Sequence, residues 1–354
     1  MNGIINIYKE RGYTSHDVVA RLRGITGQRR IGHTGTLDPD AEGVLPVCIG
    51  AATKACDVLT DKTKCYETVM LLGIGTDSQD ISGNIIARAD EASLAALSDE
   101  SIRAAIIGMV GEYDQLPPMF SAVRQGGQRL YELARAGKEV ERETRHVAIN
   151  SIELTSDIIR CRADDEFTAA RLNDNSRMKA YIGRARDEQG RFERYSGCIY
   201  NEIDRATPVI RVSFAVECSK GTFVRTLCSD IGEKLGVHAC MERLVRTRVS
   251  GFKIEDSLLL KEVEDLAHSG QLEGHILSAD SCFMDYARLD MKPKYDELLN
   301  NGNQLWFRHF SQYITEPPSP VRVYTSTGEF LALYEFVPER NRYTPLKVFK
   351  DERV

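Results

Sequence analysis

The sequence predicts an α+β protein, in which a mixed or antiparallel sheet forms a large domain and a small β domain follows it. The clearest strand lies at 210–218, where apolar and polar residues alternate as in a half-buried strand. Other strand-like stretches are separated by helical patterns and long loops, and short strands with turns dominate from about residue 288. No GxGxxG turn accompanies a βαβ repeat, which argues against a dinucleotide-binding fold.

The first helix is predicted by a capping box, in which Thr14 precedes Asp17 by three residues. Apolar residues at helical spacing follow, and the helix is expected to end near Gly27. Ser98 can cap another helix, which we expect Gly111 to end. The stretches read as strands in this half of the chain are 66–72 and 146–154.

The second half of the chain changes character twice. Residues 155–206 are polar and arginine-rich with little periodicity, and they predict an insertion or a long flexible excursion. After the strand at 210–218, a stripe of apolar residues predicts a helix that ends at Gly236. The C-terminal part contains a hairpin with a Thr-Gly turn and one further strand. The expected units are a first domain at 1–252, a connecting helical segment at 253–287 and a small β domain at 288–354.

Composition indicates a water-soluble protein of the cytoplasm. The 354 residues are long for one core, and 42% apolar with 28% charged residues fits a globular chain. The N-terminus has no apolar core of signal-peptide length, and no apolar run approaches a membrane span. Nine cysteines without a CxxC pair predict reduced, mostly buried thiols and argue against a zinc site.

Three clusters of basic residues stand out against the net charge of -6. Each could be a solvated helix face. Because the clusters flank glycine-rich loops, they favour a polyanionic partner instead. The clusters are Arg21, Arg23, Arg29 and Arg30; then Arg124, Arg129, Arg135, Lys138, Arg142 and Arg145; then Arg243, Arg246, Arg248 and Lys253.

The stretch RRIGHTGTLDPDAEGVLPVCIGAATK, residues 29–54, places Asp38 between Leu37 and Pro39. The apolar run at 44–49 is expected to be buried, and it would pin the preceding loop to the core. Asp38 would then sit on a fixed platform, as a catalytic carboxylate requires. A turn or helix-cap aspartate is the alternative for this triplet taken alone.

Five stretches of the sequence, in this order, resemble the TruB family of tRNA pseudouridine synthases. The C-terminal β domain resembles the PUA-type RNA-binding module more weakly. The five stretches are GHTGTLDPDAEGVLPVCIGAATK (32–54), DKTKCYETVMLLGIGTDSQDISG (61–83), QLPPMFSAVRQGGQRLYELARAGKEVERETR (115–145), CSKGTFVRTLCSDIGEKLG (218–236) and RLVRTRVSGF (243–252).

The resemblance implies a reaction and a partner. A uridine in the T loop of tRNA, at position 55, is flipped out of its stack and isomerised to pseudouridine. No cofactor and no metal is implied, because the nucleotide is rearranged and no group is lost. The implied partner is the T stem-loop of tRNA, bound by a cytoplasmic monomer without a membrane.

The resemblance also implies catalytic roles for three residues. Asp38 matches the essential carboxylate, which either attacks C1′, stabilises charge on the sugar or removes a sugar proton. Arg225 matches the arginine that would keep Asp38 ionised and aimed. A phosphate contact or an ordinary surface arginine is the alternative. Tyr66 matches the tyrosine that stacks on the flipped base and can serve as a base. An ordinary core tyrosine is the alternative.

Three further residues are implied to contact the substrate. His33 would enter the space left by the flipped base or support its loop, and a histidine bonded to backbone is the alternative. Phe223 stands where the family usually has tyrosine, so a hydroxyl is lost. Leu244 matches the apolar wall around the uracil, where a plain core leucine would also fit.

The chain departs from the family pattern at three places, which leaves its RNA contacts open. Lys9 is followed by Glu10 where the family has proline, Glu42 replaces a threonine, and Val245 replaces an arginine. Two other functions are kept as hypotheses. One is a non-catalytic factor that binds or folds tRNA. The other is a guide-dependent synthase acting on ribosomal RNA.

Overall fold

A computed structural model of the chain describes residues 1–60, 63–138, 140–163, 165, 167–178, 199 and 203–350. The strands in this part of the chain are β1 (Gly3–Lys9), β2 (Ile31–His33), β3 (Glu42–Ile49), β4 (Lys64–Leu72), β5 (Ile74–Thr76), β6 (Ile85–Arg88), β7 (Gly111–Gln115), β8 (Arg124–Gln125), β9 (Gln128–Arg129), β10 (Arg145–Leu154), β11 (Ile159–Arg162), β12 (Pro208–Cys218), β13 (Ala239–Val249), β14 (Phe252–Lys253), β15 (Ala287–Asp290), β16 (Val321–Tyr324), β17 (Phe330–Val337) and β18 (Arg342–Val348). The α-helices are α1 (Ser15–Thr26), α2 (Cys56–Thr60), α3 (Glu91–Ala96), α4 (Asp99–Ile107), α5 (Leu130–Arg135), α6 (Val224–Lys234), α7 (Leu260–His268) and α8 (Asp296–Asn300).

A mixed sheet forms the centre of the fold, as the sequence predicts. Its strand order is β1-β3-β13-β4-β12-β10-β7, with β2 paired to β3, β11 to β12 and β14 to β13. Within this sheet the β3–β13 pair is parallel and the other described pairs are antiparallel. At that parallel junction a Cβ on Gly43 would lie 2.2 Å from the carbonyl oxygen of Arg246. The close approach of the two backbones therefore requires glycine at position 43.

Strand β12 is buried on both faces over residues 209–214, whereas Ala215 and Glu217 are partly exposed. The prediction of a half-buried strand is therefore wrong for the first part of β12. Its polar residues Arg211 and Ser213 are almost inaccessible to solvent. The Arg211 guanidinium donates to Glu242 at 2.8 Å, and the Ser213 hydroxyl donates to the Thr68 carbonyl at 3.0 Å. The alternation of the sequence is real, but its polar half faces partners inside the protein instead of water.

The two helices predicted from capping signals are present. In α1, Thr14 accepts from the Asp17 amide at 3.0 Å, and Gly27 closes the helix with a positive φ of 66°. Ser98 caps α4 as predicted. This helix ends at Gly108, however, and not at Gly111, because the Gly108 amide already closes the last turn onto earlier carbonyls. Gly111 instead begins β7.

Apolar layers cover both faces of the large sheet. One layer packs α4 and α6 against β4, β10 and β12, and it contains Leu37, Tyr66 and Leu244. The layer on the other face contains Val44, Val69 and side chains from the C-terminal part. Helices α1 and α7 cover β1 and β3 at one end. None of the eight described cysteines forms a disulfide, and five of them are buried.

The described part of the 155–206 segment is bound to the sheet. Of the two predicted alternatives, the flexible excursion is therefore wrong for residues 155–163 and 167–178, and the insertion stays a prediction. Buried Glu67 on β4 accepts from the Ser176 hydroxyl at 2.7 Å and from the Met178 amide at 3.0 Å. Leu172 and Met178 join the second apolar layer. Residues 179–198 and 200–202, which belong to the same prediction, lie outside the described residues.

The C-terminal part forms a small sheet in the order β15-β16-β17-β18, with a core of its own. The predicted hairpin is β16–β17, and the predicted further strand is β18. Lys347 on β18 forms an ion pair with Asp57 on α2, and Phe349 packs against Phe283 of the connecting segment. These contacts attach the small sheet to the large one.

Candidate active site

Asp38 lies in the loop that joins β2 to β3, two antiparallel neighbours in the large sheet. All of β3 is buried, which fixes the end of the loop. Within the loop, the Leu37 amide donates to the Ser15 hydroxyl of α1 at 2.9 Å. The prediction that a buried apolar run holds this loop to the core is therefore confirmed.

A buried lysine holds the same loop. The amine of Lys9, on β1, donates to the carbonyls of Tyr13 at 2.6 Å and Pro39 at 3.2 Å. Burial lowers the pKa of Lys9 to about 8, and the nearby Glu42 carboxylate opposes that shift. The amine is thus mostly protonated at pH 7, and it ties the residue next to Asp38 to the sheet.

The structure brings Asp38 and Arg225 into direct contact. The Arg225 guanidinium, from the first turn of α6, lies 2.9 Å from the Asp38 carboxylate. The side chain of Asp38 is 47% exposed, whereas that of Arg225 is only 6% exposed. The carboxylate can therefore meet a substrate while the arginine that faces it stays inside the protein.

Arg225 also contacts a second carboxylate, which the sequence reasoning missed. Asp80 lies 3.2 Å from the guanidinium, and its side chain is 12% exposed. Two carbonyls complete the set, Ser78 at 3.2 Å and Phe120 at 3.0 Å. The Asp80 carboxylate accepts in turn from the amide of Ser82 at 2.9 Å. Asp80 lies within one of the five resembling stretches, but only the fold reveals that it faces Arg225.

Tyr66, on β4, lies in the same apolar layer as Leu37 and Leu244, and 8% of it is exposed. Burial raises the pKa of Tyr66 to about 12, although a hydrogen bond with the Arg246 guanidinium acts in the opposite direction. The phenol is therefore neutral at pH 7. Its ring forms an apolar wall close to Asp38, as a site for a flat base requires.

A second buried arginine lies beside this site. It is Arg246, which was named from the sequence only as a member of the third basic cluster. It donates to the carbonyl of Val44 at 2.7 Å and lies 3.4 Å from the carbonyl of Gly35. Both carbonyls belong to the segment that carries Asp38. Arg246 thus links that segment to the hydroxyl of Tyr66.

Phe223 and His33 occupy two edges of the site. Phe223 is half-buried and directly precedes α6, two residues before Arg225. His33 ends β2, and its ring meets the ring of His16 edge-on, with 5.4 Å between the centroids. Burial, together with His16, lowers the pKa of His33, so the imidazole is neutral at pH 7. The structure brings Asp38, Arg225, Tyr66 and Leu244 together. His33 lies at the start of the loop that carries Asp38.

Two of the three predicted basic clusters lie at the surface. Arg21, Arg23, Arg29 and Arg30 are exposed at and after α1. The second cluster surrounds the β8–β9 hairpin and α5, and there Arg129 and Arg135 stand over the ring of Tyr131. Exposed guanidinium groups beside an aromatic ring are suited to phosphates and unpaired bases.

The third cluster does not form such a surface, which corrects the prediction. Arg246 is fully buried. Arg243 pairs with buried Glu42 at 2.8 Å, and Arg248 pairs with Glu217 at 2.8 Å. These arginines lie on the central strand β13, where their charges are met by acids and carbonyls of the protein instead of by a polyanion.

Among the described residues there is neither a group of side chains that could hold a metal ion nor a helix that could span a membrane. No group of three or more His, Cys, Asp or Glu side chains in this part of the chain is arranged to hold a metal ion. In the same part of the chain, no helix has the length and apolar character needed to cross a membrane.

Comparison with protein families gives two matches. Residues 23–167 match the TruB family pseudouridylate synthase N-terminal domain. Residues 225–284 match the tRNA pseudouridylate synthase B C-terminal domain. The two matches include Asp38, Tyr66, Asp80 and Arg225, and the polar segment lies mostly between them.

Similar whole proteins give the same picture. The tRNA pseudouridine synthase B of Lachnoclostridium phytofermentans is 40% identical over 353 residues, which cover 99% of this chain and 100% of that protein. The enzyme of the same name from Streptococcus pneumoniae is 40% identical over 273 residues, 77% of each protein. Among solved structures, an H/ACA RNP bound to a substrate RNA containing 2′-deoxyuridine has a TM-score of 0.62 at 21% identity, covering 98% of this chain and 85% of that one. At that identity the likeness supports the fold alone.

Proposed function

The chain belongs to the TruB family of pseudouridine synthases, and from this premise we propose that it isomerises a flipped-out uridine of the tRNA T loop, at position 55, to pseudouridine. Asp38 is the essential carboxylate in this proposal. The observation that supports this role is that Asp38 is accessible, lies on a loop held to the core and pairs with the buried Arg225. Such a carboxylate is held in place by the guanidinium and is open to a substrate.

The reaction rearranges one nucleotide. The C1′–N1 bond of the uridine breaks, the uracil turns, and C5 bonds to C1′. The proton on C5 leaves and N1 gains a proton, so atoms and oxidation states balance without a cofactor. Bond breaking places positive charge on the sugar and negative charge on the base. Asp38 either attacks C1′, stabilises the sugar cation or removes a sugar proton, and the contact with Arg225 orients it for each of these routes.

The apolar wall beside Asp38 accepts the flipped uracil. Tyr66 stacks on the base from β4, and Leu244 borders it within the same apolar layer. Because burial raises the pKa of Tyr66 to about 12, the free enzyme presents a phenol that can accept the C5 proton only after losing its own. Phe223 closes the side next to Arg225 by packing. His33, neutral at its edge, enters the gap left in the RNA stack.

The RNA partner is the T stem-loop of tRNA, bound by a monomer in the cytoplasm. Support comes from the exposed arginines of the first two basic clusters and from the Arg129–Tyr131–Arg135 group, which combines positive charge with an aromatic face. The names of the similar proteins agree with tRNA as substrate.

The test uses an unmodified tRNA transcript, the protein alone and an Asp38→Asn variant. Pseudouridine leaves the RNA mass unchanged, so it is located by primer extension after carbodiimide treatment. One stop in the T loop with wild type, and none with Asp38→Asn at equal tRNA affinity, is the expected result. Tight binding without any stop would instead indicate a tRNA-binding or folding factor, or an enzyme that needs a guide RNA.

A further inference from the structure

The side-chain amide of Gln115 forms two hydrogen bonds with the backbone of Phe223. Gln115 is the last residue of β7 and is only 1% exposed. Its oxygen accepts from the Phe223 amide at 2.7 Å, and its nitrogen donates to the Phe223 carbonyl at 3.1 Å. Two bonds to the two polar groups of one residue fix that residue in position and in rotation, as a single bond would not.

A third bond completes the set of partners of this amide, whose orientation is already set by the two bonds to Phe223. The Gln115 nitrogen donates to the Tyr113 hydroxyl at 2.6 Å, and that hydroxyl lies 3.3 Å from the Asp230 carboxylate on α6. Both hydrogens and the oxygen of the Gln115 amide therefore have partners. A buried amide with its bonds complete has one preferred orientation, because turning it would break several bonds at once.

These two hydrogen bonds lie at the start of α6, where the helix has no side-chain cap. Phe223 is the residue before the first turn, and its apolar side chain cannot cap the helix. Arg225 follows two residues later, with one guanidinium nitrogen 2.9 Å from Asp38. The chain that leaves Gln115 also reaches this arginine, because the carbonyl of Phe120 accepts from Arg225 at 3.0 Å.

We propose that Gln115 is a positioning residue for the isomerisation, and the proposal rests on the function proposed above. By holding the Phe223 backbone, Gln115 sets where α6 begins. It thereby sets where the Arg225 guanidinium meets Asp38 and where the Phe223 ring borders the base. Gln115 does not touch the reacting atoms, so its loss slows the chemical step without weakening the capture of tRNA.

The experiment measures the single-turnover rate at saturating tRNA and the tRNA dissociation constant for four proteins. Wild type is compared with Gln115→Leu, which removes both bonds to Phe223, and with Gln115→Glu, which keeps only an acceptor when ionised. The matched control is Tyr113→Phe. It removes the hydroxyl that binds Gln115 but leaves both bonds to Phe223 in place.

We expect Gln115→Leu to be about 10- to 100-fold slower than wild type, the range that a displacement of about 1 Å produces in an active site. Its tRNA affinity should stay within about twofold of wild type, and Tyr113→Phe should keep a rate close to wild type. A wild-type rate in Gln115→Leu, or an equal loss in Tyr113→Phe, would overturn the proposal.

Gln115→Glu supplies a readout that packing alone cannot imitate, and it decides the matter if Gln115→Leu does not fold. When protonated, the introduced acid regains an O–H donor for the Phe223 carbonyl. Its rate relative to wild type should therefore rise as the pH falls from about 8 to about 6, since burial raises the pKa of such an acid. A relative rate that is low and flat with pH would refute the positioning role. If wild type forms no pseudouridine, the proposed function itself is refuted. A failure of the proposed function can therefore be distinguished from a failure of the role proposed for Gln115.

Discussion

The replacement of Asp80 by asparagine tests how Arg225 is held. Asp80→Asn keeps the size of the side chain and one acceptor, but it removes the negative charge 3.2 Å from the guanidinium. Both side chains are largely buried, so the contact is screened far less than a surface ion pair. A hydrogen bond to a charged group contributes about 1.5–3 kcal/mol, and a neutral one about 1 kcal/mol. The substitution should thus cost ~1–2 kcal/mol of the free energy that orients Arg225.

That loss converts into a rate. Each ~1.4 kcal/mol of lost transition-state stabilisation lowers the rate tenfold, so the single-turnover rate should fall about 5- to 30-fold. The carbonyls of Ser78 and Phe120 still hold Arg225, which is why the loss should remain below that of Asp38→Asn. Pseudouridine formation on a tRNA transcript measures the rate, and filter binding measures the affinity, which should not change.

The matched control is Asp77→Asn in the same loop. Asp77 accepts from the amide of Asn84 at 2.9 Å, and its described bonds do not include Arg225. The control reports any general disturbance of the loop. The reasoning is refuted if Asp80→Asn isomerises at the wild-type rate, or if Asp77→Asn is slowed as much.

Three further predictions concern stability and binding. Burial raises the pKa of Asp230 to about 6, so the folded protein holds this proton more tightly than the unfolded chain and loses stability as the pH rises from about 4 through 6. Asp230→Asn should therefore be as stable as wild type below pH ~4 and ~1 kcal/mol more stable above pH ~7, a value reduced for solvent screening of a half-buried group. Denaturant unfolding at both pH values measures the difference in free energy of unfolding. A difference that does not change with pH contradicts the prediction. Arg211→Met should lower the free energy of unfolding by ~3–5 kcal/mol because it removes the guanidinium 2.8 Å from buried Glu242, whereas adding Glu242→Leu should restore much of that free energy. A double variant no more stable than the single one would count against this account. Each of Arg129→Gln and Arg135→Gln should reduce the slope of log affinity for tRNA against log salt by about 0.7–0.9, and unchanged slopes would remove this surface from the RNA interface.

The sequence predicted those features that local chemistry decides. The capping box at Thr14 and Asp17 and the αL glycine at position 27 need only their immediate neighbours, and the helix between them is present. The loop of Asp38 was also predictable, because a long apolar run must be buried and the residues before it must follow. Its carboxylate therefore lies on a fixed platform, as the pattern indicated.

The rest depended on partners distant along the chain. Asp80 and Gln115 act on α6 from strands and loops more than 100 residues earlier, and no spacing rule connects them. For the same reason the third arginine cluster was misread. In the sequence, a basic residue on a central strand cannot be told from a surface residue unless the acidic residue that pairs with it is known. Arg243, which pairs with Glu42, is an example.

The shared arginine also explains why the site has two carboxylates. Asp38 is the exposed member of the set and Asp80 the buried one, on opposite nitrogens of Arg225. In the proposed reaction, Asp38 would have to turn toward the ribose and away from the guanidinium. A buried arginine deprived of its only anion would oppose that movement by several kcal/mol. We expect Asp80 to keep its contact with Arg225 during this movement, so that Asp38 can engage the sugar while the guanidinium still faces a carboxylate.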